Sequence, residues 1–200
     1  MNIDNLRYEK ECLAEGYKYI AGVDEVGRGP LAGNVVCSAV IMPLDDIIEG
    51  VDDSKKISEK RRKILAEKIK EKAIAYSIAE VEPEIIDEIN ILEATKKCMA
   101  MAVENLNVKP NIVLIDALKI KIDVPVKGII KGDALSYSIA SASILAKVYR
   151  DEQMCEMAKI YPEYAFEKHK GYGTALHIQA LKKYGPCPIH RRSFIKKFIV

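Results

Sequence analysis

The sequence predicts an α/β fold: a mixed five-stranded sheet with flanking helices. β-branched apolar runs alternate with amphipathic stretches in the order β-β-α-β-α-β-β-α, which is typical of helices packed on a sheet. Only a short glycine-rich turn (the glycine turn, Gly27–Gly33) separates the first two strands, so these strands must be antiparallel. The most strand-like run of all, Ile112–Ile115, follows much later and ends in Asp116.

The elements are expected in a regular order along the chain. Tyr17–Val23 predicts the first strand, ending in Asp24 and Glu25, and Asn34–Met42 predicts the second. The later elements are a lysine-rich helix over 59–72 capped by Ser58, a strand over 75–82, a helical region over 83–105, strands over 112–115 and 124–130, a long buried helix over 134–159 and a short helix over 174–184.

Composition excludes several classes of protein. The 200 residues, 49% hydrophobic and 30% charged, suit one globular domain. The polar start of the chain predicts no secretory signal, and no run approaches the ~18 apolar residues of a membrane span. The five cysteines are scattered without a Cys-x-x-Cys pair, so neither a disulfide framework nor a zinc site is indicated. We therefore expect a cytoplasmic monomer with no membrane partner.

Charge is unevenly distributed along the chain. The segment Lys168–Val200 contains eight Lys or Arg residues, all three histidines and no acidic residue. The other 167 residues carry 23 basic and 29 acidic side chains. This asymmetry predicts a basic C-terminal surface for a polyanion, although a merely solvated basic tail would have the same composition.

Four acidic residues lie where a strand ends or a helix begins: Asp24, Glu25, Asp116 and Asp133. Oxygen ligands without His or Cys suit Mg²⁺ or Mn²⁺, and two such ions about 4 Å apart can activate water and stabilise a leaving oxygen. Turn formation or helix capping, for Asp133 above all, is the alternative. Adjacent strand residues face opposite ways, so Asp24 and Glu25 share a site only if the backbone bends after them.

The glycine turn also fits a dinucleotide-binding fingerprint, G-x-G-x-x-A, over Gly27–Ala32. That motif requires a helix to follow, so that the helix N-terminus can hold the pyrophosphate. A β-branched strand follows here instead, which disfavours a nucleotide site.

Six sequence blocks, in order, resemble ribonuclease HII, the type 2 ribonuclease H of bacteria. They are GVDEVGRGPLAG at 22–33, DSKKIS at 53–58, VLIDA at 113–117, KGDALSYSIASASILAKVYRD at 131–151, HKGYGT at 169–174 and GPCPIHRRSF at 185–194. The resemblance extends over residues 17–194. It implies that the four acidic residues above are the active-site carboxylates that bind the divalent ions.

The resemblance also implies substrate-binding residues. The Gly27-Arg28-Gly29 segment is similar to the family's loop that reads the ribose 2′-hydroxyl through its backbone, the group that distinguishes RNA from DNA. Tyr172 matches the tyrosine that packs on the sugar beyond the scissile junction.

Three further positions have two possible roles each. Ser54 and Lys55 resemble a block that contacts the nucleic-acid backbone, although they also suit the cap of a lysine-rich helix. Lys147 either meets a phosphate or pairs with Asp151; the sequence leaves both open.

By resemblance, the fold is a ribonuclease-H-like catalytic domain over 1–165 with a basic C-terminal helical subdomain over 166–200 packed on it, forming a single catalytic unit. The implied activity is two-metal hydrolysis of the RNA strand of RNA–DNA hybrids and cleavage 5′ of single ribonucleotides in duplex DNA, leaving a 3′-hydroxyl and a 5′-phosphate. The resemblance further implies a role in removing misincorporated ribonucleotides or primer RNA. The alternatives are another two-metal nuclease or strand transferase, or a non-catalytic hybrid-binding module.

Overall fold

The computed structural model of the chain describes residues 5–199. The strands are β1 (Ile20–Val26), β2 (Val35–Ile41), β3 (Ala75–Val81), β4 (Ile112–Asp116) and β5 (Val126–Ile129). The helices are α1 (Arg7–Ala14), α2 (Glu59–Lys72), α3 (Pro83–Glu104), α4 (Gly132–Leu135), α5 (Tyr137–Ile160), α6 (Phe166–His169), α7 (Ala175–Tyr184) and α8 (Arg192–Ile195). Two short 3₁₀ helices cover Ser54–Lys56 and Pro162–Tyr164.

The five strands form one mixed sheet in the order β3-β2-β1-β4-β5, so the predicted α/β architecture is confirmed. β1 pairs antiparallel with β2 across the glycine turn and parallel with β4. In the parallel pair, Val23 lies opposite Ile115. Asp24 and Asp116, the next residue on each strand, therefore lie side by side at the end of this parallel pair.

Helices cover both faces of the sheet. Alternate residues of β1, such as Ala21 and Val23, pack in the core that contains α3, whereas Ile20 packs with α5 on the opposite face. Gly22 permits the closest approach on that face, because a Cβ there would lie 2.1 Å from the Ser138 carbonyl carbon of α5. The sheet thereby fixes α5 at a short distance from the end of β1.

Several predicted boundaries differ from the structure. β1 begins at Ile20 instead of Tyr17 and continues one residue past Asp24 and Glu25, to Val26. The long helix predicted over 134–159 is broken at Ser136, whose hydroxyl caps α5 by accepting from the Ile139 N–H. Ser136, and not Asp133, is therefore the cap of that helix. Ser58 lies at the N-cap position of α2, but its side chain makes no capping hydrogen bond.

The C-terminal segment packs on the rest of the chain through a shared buried cluster. Ala32 and Met154 contact Phe166, Ala180 and Cys187 in this cluster. The division into 1–165 and 166–200 stays a prediction, and residues 1–4 and Val200 of those ranges lie outside the described residues. No helix within 5–199 has both the length and the apolar character needed to cross a bilayer.

Candidate active site

The four predicted carboxylates form one cluster, which we call the carboxylate cluster (Asp24, Glu25, Asp116 and Asp133). Asp24 and Glu25 lie at the carboxyl end of β1, and Asp116 is the last residue of β4. Asp133 lies in α4, just after β5. Asp24 and Asp133 are only 7% and 8% exposed. Gly27, directly after β1, has a positive φ of 92°, and the charge of Glu25 acts on Asp24.

Burial and mutual repulsion shape the electrostatics of this cluster. Burial, followed by the charges of Glu25 and Asp133, raises the pKa of Asp24 well above its ordinary value, and a hydrogen bond with Ser143 opposes the shift only in part. Burial also raises the pKa of Glu25, with Asp116 contributing, while Arg28 opposes the shift. Cations placed among these groups would relieve both the burial penalty and the repulsion.

Each carboxylate, as it stands, has a donor from the protein. Arg28 Nη1 lies 3.4 Å from Glu25 Oε1, and Lys55 Nζ lies 3.2 Å from Asp133 Oδ2. Asp116 Oδ1 accepts from the Gly132 N–H at 3.0 Å. Within residues 5–199, no group of three or more Asp, Glu, His or Cys side chains is arranged to hold an ion without further adjustment.

The donor set nevertheless fits a hard divalent cation. All the groups in the carboxylate cluster are oxygen donors, as Mg²⁺ and Mn²⁺ prefer. Lys55 and Arg28 have side chains that are 79% and 44% exposed, so both can move into solvent when a cation arrives. Asp24 is buried and is repelled by the charges of Glu25 and Asp133, so a cation beside it would offset both the burial penalty and the repulsion.

The glycine turn lies beside the carboxylate cluster. No hydrogen bond within the described part of the chain uses the main-chain N–H of Gly27, Arg28 or Gly29. Tyr172 lies over this turn, since a Cβ on Gly29 would stand 3.8 Å from its ring. With 41% of its surface exposed, Tyr172 can contact a ligand that also reaches the three N–H groups.

The other predicted binding residues are placed less directly. Ser54 is 4% exposed, and its hydroxyl lies 2.8 Å from that of Ser143, so the side chain faces inward. Lys147 pairs with Asp151 at 2.7 Å. This contact is one of the two alternatives for Lys147, and phosphate contacts by Lys147, Lys55 and Ser54 stay predictions.

Residues to which the sequence assigned no role also support the site. Ser143 contacts Asp24 from α5, and the buried Arg150 and Arg191 bind the glycine turn from two sides. The three histidines of the basic segment are also buried. For Arg191, the absence of any acidic residue within Lys168–Val200 is the signal that could have pointed to main-chain carbonyls as its partners.

Comparisons with known proteins establish the family of the chain. A family model described as ribonuclease HII matches residues 21–197. The chain belongs to the ribonuclease HII family. Ribonuclease HII of Acetivibrio thermocellus is 58% identical over 194 residues, which cover 96% of this chain and 76% of that protein. Ribonuclease HII of Caldicellulosiruptor bescii is 56% identical over 192 residues, covering 96% and 93%.

A solved structure shares the fold of this ribonuclease HII family member. The crystal structure of ribonuclease H2 from Pyrococcus horikoshii OT3 matches with a TM-score of 0.78 and 27% identity, covering 90% of this chain and 97% of that one. The chain is therefore a metal-dependent endoribonuclease, a hydrolase that acts on RNA–DNA hybrids. A non-catalytic hybrid-binding module is disfavoured accordingly.

Proposed function

We propose that the chain cleaves the RNA strand of hybrids and also cuts 5′ of single ribonucleotides in duplex DNA, leaving a 3′-hydroxyl and a 5′-phosphate. The observation that carries this proposal is the position of the glycine turn. Its three unused N–H groups follow directly after Asp24 and Glu25, within two to five residues of carboxylates that repel one another. A ribose bound at the turn would therefore place its phosphate near the carboxylate cluster.

Asp24, Glu25, Asp116 and Asp133 would hold two Mg²⁺ or Mn²⁺ ions. When bound, these ions would activate water and stabilise the leaving oxygen in an in-line displacement. The chain's own contribution is position: β1, β4 and α4 hold the four carboxylates on rigid elements. Arg28 and Lys55 would leave Glu25 and Asp133 and become available to phosphate oxygens.

Selection of ribose is assigned to main-chain groups. The N–H groups of Gly27, Arg28 and Gly29 can donate to a 2′-hydroxyl oxygen, which deoxyribose lacks. The glycines leave no side chain between backbone and sugar. Tyr172 would pack on the sugar that follows the scissile junction, because its ring lies next to Gly29. A site built to bond a hydroxyl rejects the analogue without it, since polar groups would stay unpaired.

The test uses a duplex DNA carrying one ribonucleotide and a label at each end of that strand, with Mg²⁺ or Mn²⁺ supplied. We expect one cut, on the 5′ side of the ribonucleotide, with the two stated product ends. An all-DNA duplex and a uniform hybrid of the same sequence are the controls. Equal cutting of the all-DNA duplex would favour another two-metal nuclease or strand transferase. Cleavage of the hybrid alone would remove the single-ribonucleotide activity from the proposal.

A further inference from the structure

Two arginines are among the largest fully buried side chains of the protein. Arg150 in α5 and Arg191, just before α8, are both 0% exposed. They approach the glycine turn from different parts of the chain. A buried guanidinium without compensation is costly, so each needs acceptors for its donor groups.

Arg191 takes its acceptors from the glycine turn. Nη2 donates to the carbonyls of Gly27 at 2.6 Å and Gly33 at 2.7 Å. Nη1 donates to the carbonyls of Arg28 at 3.1 Å and Pro30 at 2.9 Å. Nε donates to Gly33 as well, at 2.9 Å. A single planar side chain thus fixes four carbonyls of one turn.

Arg150 completes the set from the α5 side. Its Nη2 donates to the Ala32 carbonyl, its Nε to the Asn34 carbonyl and its Nη1 to the Lys170 carbonyl, each at 3.0 Å. Within residues 5–199, every hydrogen bond of the two guanidinium groups goes to a main-chain carbonyl. Through Lys170, Arg150 also joins the turn to the loop that carries Tyr172.

The arrangement of the turn follows from these bonds. With its carbonyls directed inward to the arginines, the N–H groups of Gly27, Arg28 and Gly29 are left for a ligand. Gly27 adopts a φ of 92°, and the space that its Cβ would need is taken by Arg150 Nε, 2.3 Å away. Neither guanidinium reaches the surface, so neither can contact a substrate itself.

We propose that Arg150 and Arg191 are positioning residues for ribose selection, holding the carbonyls of the glycine turn so that its N–H groups meet the 2′-hydroxyl. The inference rests on the proposed function of that turn. It assigns sugar discrimination to two side chains that never touch the sugar. Replacing the planar fork by an ammonium group should keep the charge and lose the geometry, because lysine cannot bond several carbonyls in one plane.

The first experiment measures sugar discrimination. Arg191→Lys and Arg150→Lys are each made in an Asp24→Asn background that leaves the substrate intact, with Arg192→Lys as the matched control on an exposed neighbour. The readout is the ratio of affinities for a duplex with one ribonucleotide and for its all-DNA counterpart. We expect this ratio to fall roughly tenfold or more in both variants, as for a displaced binding group, and to persist in the control.

The second experiment needs no substrate. Leu31 and Gly33 donate to the carbonyls of Gly171 and Ile189, so their amide hydrogen exchange reports the order of the turn. Exchange at both amides should accelerate in Arg191→Lys and remain unchanged in Arg192→Lys. If Arg191→Lys does not fold, Arg150→Lys provides the same comparison.

The outcomes separate this inference from the proposed function. Folded variants that keep the wild-type affinity ratio, or turn amides that exchange as before, would overturn the positioning role. If the Asp24→Asn protein with both arginines intact shows no preference for the ribonucleotide-containing duplex, the proposed recognition of the 2′-hydroxyl is refuted instead. In that case the exchange experiment alone decides whether the arginines hold the turn.

Discussion

The carboxylate cluster and the glycine turn adjoin each other in sequence, yet their buried charges differ in how far they are compensated. In the cluster, burial and repulsion raise the pKa of Asp24 and Glu25, and protein donors compensate only in part. In the turn, two buried arginines have carbonyl acceptors for their donor groups. The first region retains a repulsion that a cation would relieve, whereas the carbonyls of the second are already hydrogen-bonded in the free protein.

The difference separates two requirements of a nuclease site. Groups that hold metal must retain uncompensated negative charge, at a cost in stability. Groups that recognise a sugar must be in place before it arrives, so that no ordering has to occur on binding. A substitution in the cluster should therefore impair turnover while sparing the fold, and one around the turn should affect the fold or the selectivity.

The largest expected effect is on turnover in Asp24→Asn. We expect hybrid cleavage to fall by roughly a hundredfold to ten-thousandfold, because metal-ion catalysis supplies several kcal/mol of transition-state stabilisation. Without metal, the variant should be at least as stable as the wild type, since a buried repelled charge is removed. Cleavage rates and denaturant unfolding in a chelator measure the two quantities. An Asp24→Asn variant that still cleaves the hybrid would contradict the proposed contrast between the carboxylate cluster and the glycine turn. A strongly destabilised variant would contradict it as well.

A second effect concerns His177 and His190, which lie beside the loop that carries Tyr172. The Cys187 N–H donates to His190 Nδ1, so the proton of His190 is on Nε2, which donates to His177 Nε2 at 2.9 Å. His177 Nδ1 in turn donates to the Tyr172 carbonyl, and both rings are neutral in this arrangement. Burial, followed by the charge of His177, lowers the pKa of His190 from 6.5 to about 4. Between about pH 4 and pH 6.5, His190 therefore binds a proton more readily in the unfolded chain than in the folded one. Proton uptake by His190 in this pH range favours unfolding.

Stability should be full above about pH 6.5 and fall by roughly 3 kcal/mol for His190 alone as pH drops toward about 4. The free energy of unfolding is measured across this interval for the wild type and for His190→Asn. The pH dependence should be smaller in the variant. A wild-type stability that stays level, or equal slopes in both proteins, would contradict a neutral His190.

Selectivity should depend on Tyr172. We expect Tyr172→Ala to lower kcat/KM on a duplex with one ribonucleotide by about tenfold, and to lower it less on a uniform hybrid, which lacks the junction sugar. Tyr76→Ala is the matched control, since Tyr76 and Tyr172 are both 41% exposed and Tyr76 lies on the far edge strand β3. If both substrates are affected equally, Tyr172 does not read the junction.

The smallest expected effect is that of Lys55→Ala. The ion pair of Lys55 with Asp133 has an exposed lysine, so stability should change by less than about 1 kcal/mol. If Lys55 contacts a phosphate, a plot of the logarithm of the hybrid-binding constant against the logarithm of the salt concentration should become less steep by about one unit in the variant. Lys63→Ala, which removes a surface pair with Glu59 on α2, is the control. An unchanged salt slope would exclude the phosphate contact.

Most of the fold and the carboxylate cluster could be predicted from the sequence. Periodicity located every strand, because β-branched runs bounded by turns leave few alternatives. The carboxylates stood at strand ends, where a parallel sheet brings them together. α1 was missed, since its buried residues are Glu9 and Cys12 and it has no apolar stripe.

The arginine contacts could not be predicted in this way. Arg191 bonds carbonyls more than 150 positions away in sequence, and its basic segment suggested a surface. Six of the eight basic residues there are exposed, as expected, but Arg191 is fully buried. Ser136 likewise breaks a helix whose pattern is continuous, because its hydroxyl also donates to Glu9 of α1. Long-range polar contacts leave no periodic trace in a sequence.

The central claim, that the carboxylate cluster is incomplete without a cation, is tested most directly by unfolding with and without Mn²⁺. Saturating Mn²⁺, at about a hundred times its dissociation constant, should stabilise the wild type by roughly 2.7 kcal/mol. Asp24→Asn should lose most of this gain, while Asp46→Asn, which alters an exposed carboxylate paired with Lys72, should keep it. A wild type indifferent to Mn²⁺, or an Asp24→Asn variant stabilised equally, would contradict the account.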